Sequence, residues 1–141
     1  MMKVSKLTPN FSVASIRQTV LFYSNVLGFN LVMAVPQSQD GVDTTLAEGK
    51  EYVYALMTKD GVELMFQRTD SFAHDVTLAT AAPIGASVSF YMEVEGVKDF
   101  YADVKSRNLE VTDLKLAWYG MWEFYLRDVN GYILGFAEKV E

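Results

Sequence analysis

The feature that most constrains this chain is a pattern that occurs twice. Lys6 to Val13 is strand-like, and the stretch Ser15 to Leu27 then carries Ile16, Val20, Tyr23 and Leu27 at spacings of four, three and four. That spacing predicts an amphipathic helix, closed by Gly28, since glycine is favoured just beyond a helix end. A second strand is expected over Ala86 to Val94, and Val97, Phe100, Tyr101 and Val104 repeat the helical spacing. Val13 and Val94 each end a strand just before a helix. Three further strands follow in each half: Phe29 to Val35, Tyr52 to Thr58 and Val62 to Gln67, then Leu109 to Leu116, Trp122 to Arg127 and Tyr132 to Ala137. Asp60-Gly61 and Asn130-Gly131 join the last two strands of each set, a turn signal that predicts hairpins. Both halves read β, α, β, β, β, which makes an internal repeat the simplest account. The expected class is α+β. One domain of two tandem modules, about 5–68 and 86–139, is separated by a linker over 69–85 that contains Ala82-Pro83.

Half of the 141 residues are hydrophobic, so the chain can bury a sizeable core. Twelve basic against eighteen acidic side chains give a net charge of -6, which argues against nucleic acid because phosphate binding needs clustered Lys and Arg. A cationic or neutral small partner fits better, although a modest negative excess also serves solubility. The absence of cysteine excludes disulfides, thiolate zinc sites and cysteine nucleophiles. Met1 to Lys6 lacks the apolar core of a signal peptide, and no apolar run approaches the roughly 20 residues that span a bilayer. The expectation is a soluble, cytoplasmic protein with no membrane partner.

Alternation assigns strand faces, because successive side chains point to opposite sides. Val88, Phe90, Met92 and Val94 suit packing on a helix, so Ser87, Ser89, Tyr91 and Glu93 face the other way. In the last strand Tyr132, Leu134 and Phe136 match the helix side, leaving Ile133, Gly135 and Ala137 on the opposite face. Gly135 is unusual there: glycine inside a strand packs nothing and signals a bulge or the close approach of another group.

The doubled module, with Phe22-Tyr23…Leu27-Gly28-Phe29 and Tyr119-Gly120-Met121-Trp122-Glu123-Phe124 leading into Asp128-Val129-Asn130-Gly131-Tyr132, resembles the vicinal oxygen chelate superfamily. That group contains glyoxalases, bleomycin-resistance proteins and extradiol dioxygenases. The resemblance runs from about Leu7 to Glu138. It implies a cup-shaped mixed sheet with helices on its outer face and, in metal-dependent relatives, His or Glu ligands from the first and last strand of each module. Here those slots fall on Thr8, Ser89 and Gly135, and the fourth on either Glu63 or Met65. Lewis-acid metals need several imidazole or carboxylate ligands. The inventory therefore points away from a metal cofactor and toward the metal-free bleomycin-resistance-like branch. His74, the single histidine, stands beside Asp75 in the expected linker and makes no coordination sphere. Asp40, Asp43 and Glu48 lack calcium-loop spacing and read as a solvated loop.

The remaining candidates for a ligand cleft are Trp118, Tyr119, Met121 and Trp122, which lie where the family places a loop over the cup mouth, together with Tyr91, Met65 and Glu63. Aromatic walls with a few polar groups suit a flat or hydrophobic ligand, and the carboxylate would favour a positive group. Trp122 stands where many relatives have Arg, and Val129 where Pro is common. Glu123 is expected to fix the loop rather than to contact ligand, and Pro36 to Lys50 to shape one wall. The expected function is metal-independent binding of a small aromatic or cationic molecule, a sequestration of the antibiotic-resistance kind, with no residue assigned to catalysis. The alternative is a metal-dependent lyase, isomerase or dioxygenase with a displaced metal site. Glu63 or Tyr91 as a general base, or an aromatic loop that docks a protein, are further readings. The resemblance also implies a homodimer.

Overall fold

Ser15 and Gly96 mark the two points where strand gives way to helix, and they begin the helix in different ways. Ser15 is extended (φ -140, ψ 121), and its hydroxyl accepts a hydrogen bond from Gln18 N at 3.2 Å, an ordinary N-cap. Gly96 has no side chain to offer and takes a left-handed conformation, φ 85. There the Glu138 carboxylate accepts from the Gly96 and Val97 amides at 3.1 and 3.0 Å, placing a negative charge at the positive end of the helix.

The computed structural model describes residues 1–79, 83–85 and 88–141. The chain divides into two compact units, Met1–Pro83 and Ile84–Glu141. In the first, β1 (Asn10–Val13), α1 (Ile16–Asn25), β2 (Asn30–Pro36), β3 (Tyr52–Lys59) and β4 (Val62–Arg68) precede α2 (Thr69–Asp75) and a 3-10 turn, Thr77–Ala79. The sheet order is β1-β4-β3-β2, with β1 parallel to β4 and the other pairs antiparallel. In the second unit β5 (Ser89–Glu93), α3 (Val97–Ser106), β6 (Lys115–Leu116), β7 (Met121–Arg127) and β8 (Ile133–Lys139) form the order β5-β8-β7-β6, with β5 parallel to β8. The α+β class and the two βαβββ modules expected from the sequence are present.

α1 and α3 each pack on one face of their own sheet. In the first unit Tyr23 of α1 lies with its ring 4.7 Å from that of Phe66, which also meets Phe11 at 5.2 Å. In the second, Phe100 of α3 meets Phe136 edge-on at 4.9 Å and Phe124 at 5.8 Å. Burying side chains of this size contributes about 1.5–3 kcal/mol each relative to exposure. Gly28 takes φ 76, which lets Phe29 N reach back to Tyr23 O at 2.9 Å and closes α1.

Four local expectations change. β1 begins at Asn10 rather than Lys6, and the strand expected over Leu109 to Leu116 shrinks to β6 plus an isolated bridge between Val111 and Leu126. The stretch expected to be a linker holds α2, which buries no side chain and so leaves no apolar periodicity to read. The two hairpins are also unlike. Asp60 and Gly61 both take positive φ, 50 and 81, as a two-residue I′ turn requires, whereas only Gly131 does so in its turn. There the Asp128 carboxylate accepts from the Asn130 and Tyr132 amides, both at 2.8 Å, and makes the reversal. Ala86 and Ser87 of the expected fifth strand, and Thr80 to Ala82 of the expected linker, lie outside the described residues. Among the described residues no helix is long and apolar enough to cross a membrane.

Candidate functional site

In the second unit the sheet face away from α3 is organised around small residues on the central strand. The register places Gly135 between Tyr91 and Tyr125, and Ala137 between Glu93 and Glu123. A Cβ at position 135 would lie 2.8 Å from Tyr125 Cε1 and 3.2 Å from Tyr91 Cδ1. The two tyrosine rings close over Gly135, the close approach that a glycine inside a strand signals. Glu123 is 5% exposed, and each of its oxygens takes one phenol. Tyr91 donates to Oε2 at 2.6 Å and Tyr119 donates to Oε1. Burial first, and then the Glu123 carboxylate, pushes the Tyr91 phenol well above the ordinary tyrosine range. For Tyr119 the Glu123 bond is the larger cause of a shift in the same direction.

Tyr119 reaches Glu123 from the turn between β6 and β7. Ala117 N bonds Met121 O at 2.8 Å, Gly120 N bonds Ala117 O at 3.0 Å, and Gly120 takes φ 86. Trp118 stands at the tip, 95% exposed, with its ring edge-on to Tyr119 at 5.4 Å. Met121 is half-buried on the strand face that carries Glu123. Trp122, the next residue, is on the other face with Phe124 and Leu126, where Lys98 Nζ of α3 sits 4.6 Å from its ring centroid. Alternation separates it from Met121 and Glu123; Tyr91 and Tyr119 bond Glu123, and Trp118 meets the Tyr119 ring at the turn. Glu123 itself, expected as a buried partner of the loop, holds that place.

In the first unit the equivalent face is filled differently. Met65 stands between Asn10 and Leu56, the row that matches Tyr91, Gly135 and Tyr125, so Met65 rather than Glu63 is the register counterpart of Gly135. Glu63 shares that face and is ion-paired with Lys6. Gln67, 6% exposed, is the hub of a polar network the sequence reading missed. It accepts from Asn10 Nδ2 at 2.9 Å and donates to Ser71 Oγ at 2.9 Å and to Asp75 Oδ2 at 2.7 Å. Gln67 and Asp75, with Tyr54 and His74, line a groove of 540 Å³. The Gln67 bond, followed by that from His74, holds the Asp75 carboxyl below its usual range. The signal available in the sequence was two amides, Asn10 and Gln67, in strands otherwise rich in apolar residues.

No family model matches the sequence, and no curated protein matches it significantly. Solved structures do. A glyoxalase/bleomycin resistance protein/dioxygenase from Nocardioides is 16% identical with a TM-score of 0.71, over 100% of this chain and 87% of that one. An antibiotic binding protein from Streptomyces sp. CB03234 is 15% identical with a TM-score of 0.64, over 99% of both chains. A bleomycin-binding protein, solved in complex with bleomycin, is 17% identical with a TM-score of 0.59, over 96% of this chain and 99% of that one. The fold is that of the vicinal oxygen chelate superfamily. At these identities the likeness is one of fold alone.

The metal of vicinal oxygen chelate enzymes does not fit the residues found here. Thr8 and Ser89 offer neutral hydroxyls, Met65 a thioether, and Gly135 nothing but a backbone covered by two rings. Among the described residues no group of three or more His, Cys, Asp or Glu is placed to hold an ion. Glu63 and Glu123 are engaged with Lys6 and with two phenols.

Proposed function

We propose that this chain binds a small aromatic or cationic molecule without a metal, at the open face of the second unit, and so sequesters it. The observation that carries this reading is a buried carboxylate capped by two phenols, at the foot of a turn whose tryptophan is almost fully exposed. Tyr91 and Tyr119 are each about half exposed, at 46% and 49%, so their ring faces are accessible beside a fixed negative charge. A cation over such a ring gains about 0.5–2 kcal/mol, more as it is desolvated. Solved neighbours of this fold that carry antibiotic-binding and bleomycin-binding names are in line with small-molecule binding. We further propose that the chain works as a homodimer; a monomer by light scattering would count against that.

The test is a thermal-shift screen of aromatic and cationic compounds, bleomycin among them, run with and without chelator. A ligand that binds only the folded state raises its melting temperature by mass action. Stabilisation that persists in chelator is the expected result. Stabilisation that needs a divalent ion, or stoichiometric zinc, nickel, manganese or iron in protein purified without chelator, would select the metal-dependent alternative.

A further inference from the structure

The hydrogen-bond chemistry of the Tyr91–Glu123–Tyr119 cluster fixes the polarity of the group it receives. A phenol has one hydrogen to donate, and an ionised carboxylate only accepts. Tyr91 spends its hydrogen on Oε2 of Glu123 and Tyr119 spends its own on Oε1. Both protons point inward, toward a residue 5% exposed. What the two phenols present outward is therefore oxygen lone pairs. Bonds to a charged acceptor polarise the donors, which makes those outward oxygens better acceptors in turn.

We infer that the ligand group received between Tyr91 and Tyr119 is an N–H donor carrying positive charge, a primary ammonium or a guanidinium, and that anions and carbonyls are turned away. An acceptor on the ligand would have to rotate one phenolic hydrogen outward and leave a buried carboxylate oxygen without its donor, an expensive loss. The neighbouring charges point the same way. Glu93 stands in the same cross-strand row as Glu123, two strands away across Ala137, and exposed Lys115 stands on the other side, so the row holds two acids and one base. The inference rests on the binding reading above and narrows it from any flat or cationic compound to cations that keep an N–H.

Calorimetric titration of the whole chain with three matched probes separates the possibilities: 2-naphthylmethylammonium, its N,N,N-trimethyl derivative, and 2-naphthylacetate. The trimethyl compound keeps the charge and the ring but has no N–H. The ammonium is expected to bind at least about tenfold more tightly than the trimethyl probe, with the carboxylate weakest. The double variant Tyr91→Phe/Tyr119→Phe is expected to erase that preference, the two cations then binding within about twofold of each other, because neither phenolic oxygen remains to tell them apart. Tyr119→Phe alone, on an exposed turn, is expected to lose part of the preference, and it serves if the double variant does not fold. Equal binding of the two cations, or a preference that survives in the folded variants, overturns the donor assignment and leaves small-molecule binding standing. Binding of none of the three overturns both.

Discussion

In the first unit the central strand β4 brings Met65 and Gln67 to the open face, between Asn10 and Leu56 and between Ser12 and Tyr54. In the second, β8 brings Gly135 and Ala137 to the matching positions, between Tyr91 and Tyr125 and between Glu93 and Glu123. The same two rows are filled from the centre in one unit and from the flanks in the other. Large central side chains let the first unit tie its sheet to α2 through Gln67. Small central side chains let the second seat the rings of Tyr91 and Tyr125 over Gly135, and Tyr91 then shares the Glu123 carboxylate with Tyr119 of the β6–β7 turn. Gly135 is thus a spacing device: its missing side chain is what admits the rings of Tyr91 and Tyr125. A repeat preserves the backbone path and the helix-side core, while the opposite face is free to take on different chemistry.

That contrast can be broken in several places. The helix-side cores should behave alike, so Phe66→Ala and Phe124→Ala, both at sites at most 1% exposed, should each cost about 3–5 kcal/mol in denaturant unfolding. A loss under half that in one unit only would show that the two cores are not equivalent. Gly135→Met imports the first unit's occupant into a place where even a Cβ comes within 2.8 Å of Tyr125, and should cost about 1–3 kcal/mol. Adding Tyr125→Leu, which copies the Met65–Leu56 pair, should recover part of it. Strict additivity of the two changes would refute the row-filling account. Gln67→Ala strands Asn10, Ser71 and Asp75 and should cost about 1–3 kcal/mol, with α2 losing amide-exchange protection first.

The smallest effects lie in pH. Hydrogen bonds from Arg68 hold the Asp70 carboxyl at about 2, so its contribution is complete above the normal carboxylate range and fades as pH falls toward 2. Because the pair is exposed, Asp70→Asn should remove less than about 1 kcal/mol at neutral pH and flatten the acid limb. In the second unit the sign reverses. Tyr91 and Tyr119 bind their protons more tightly when folded, so their contribution is full below pH 10 and is lost as pH rises beyond it. Tyr54 of the first unit shifts upward too, through burial, so Tyr91→Phe should soften the alkaline limb without abolishing it.

The helices, hairpins and helix-side cores were legible because each repeats with a period that the chain must obey to bury apolar surface. Alternation also assigned Tyr91 and Gly135 to the open face correctly. The same alternation puts Trp122, between Met121 and Glu123, on the helix side with Lys98 and apart from the other loop aromatics. α2 escaped notice because seven mostly polar residues, none buried, leave no periodic trace. The Asn10–Gln67 and Tyr91–Glu123–Tyr119 networks escaped for another reason. Their partners lie 57, 32 and 4 residues apart and meet only through strand register and turn geometry. What Gly135 makes room for is likewise a property of the flanking strands, not of its own segment.

The central claim is that a buried carboxylate behind two phenols, and not a metal, holds the ligand. Its most direct test is the affinity of 2-naphthylmethylammonium for chelator-treated protein, wild type against Glu123→Gln. The account predicts binding that is unaffected by chelator in the wild type and weakened by about tenfold or more in the variant, whose amide removes the charge and donates to a phenol. Binding that appears only when a divalent ion is restored, or that is equally tight in the variant, would contradict it.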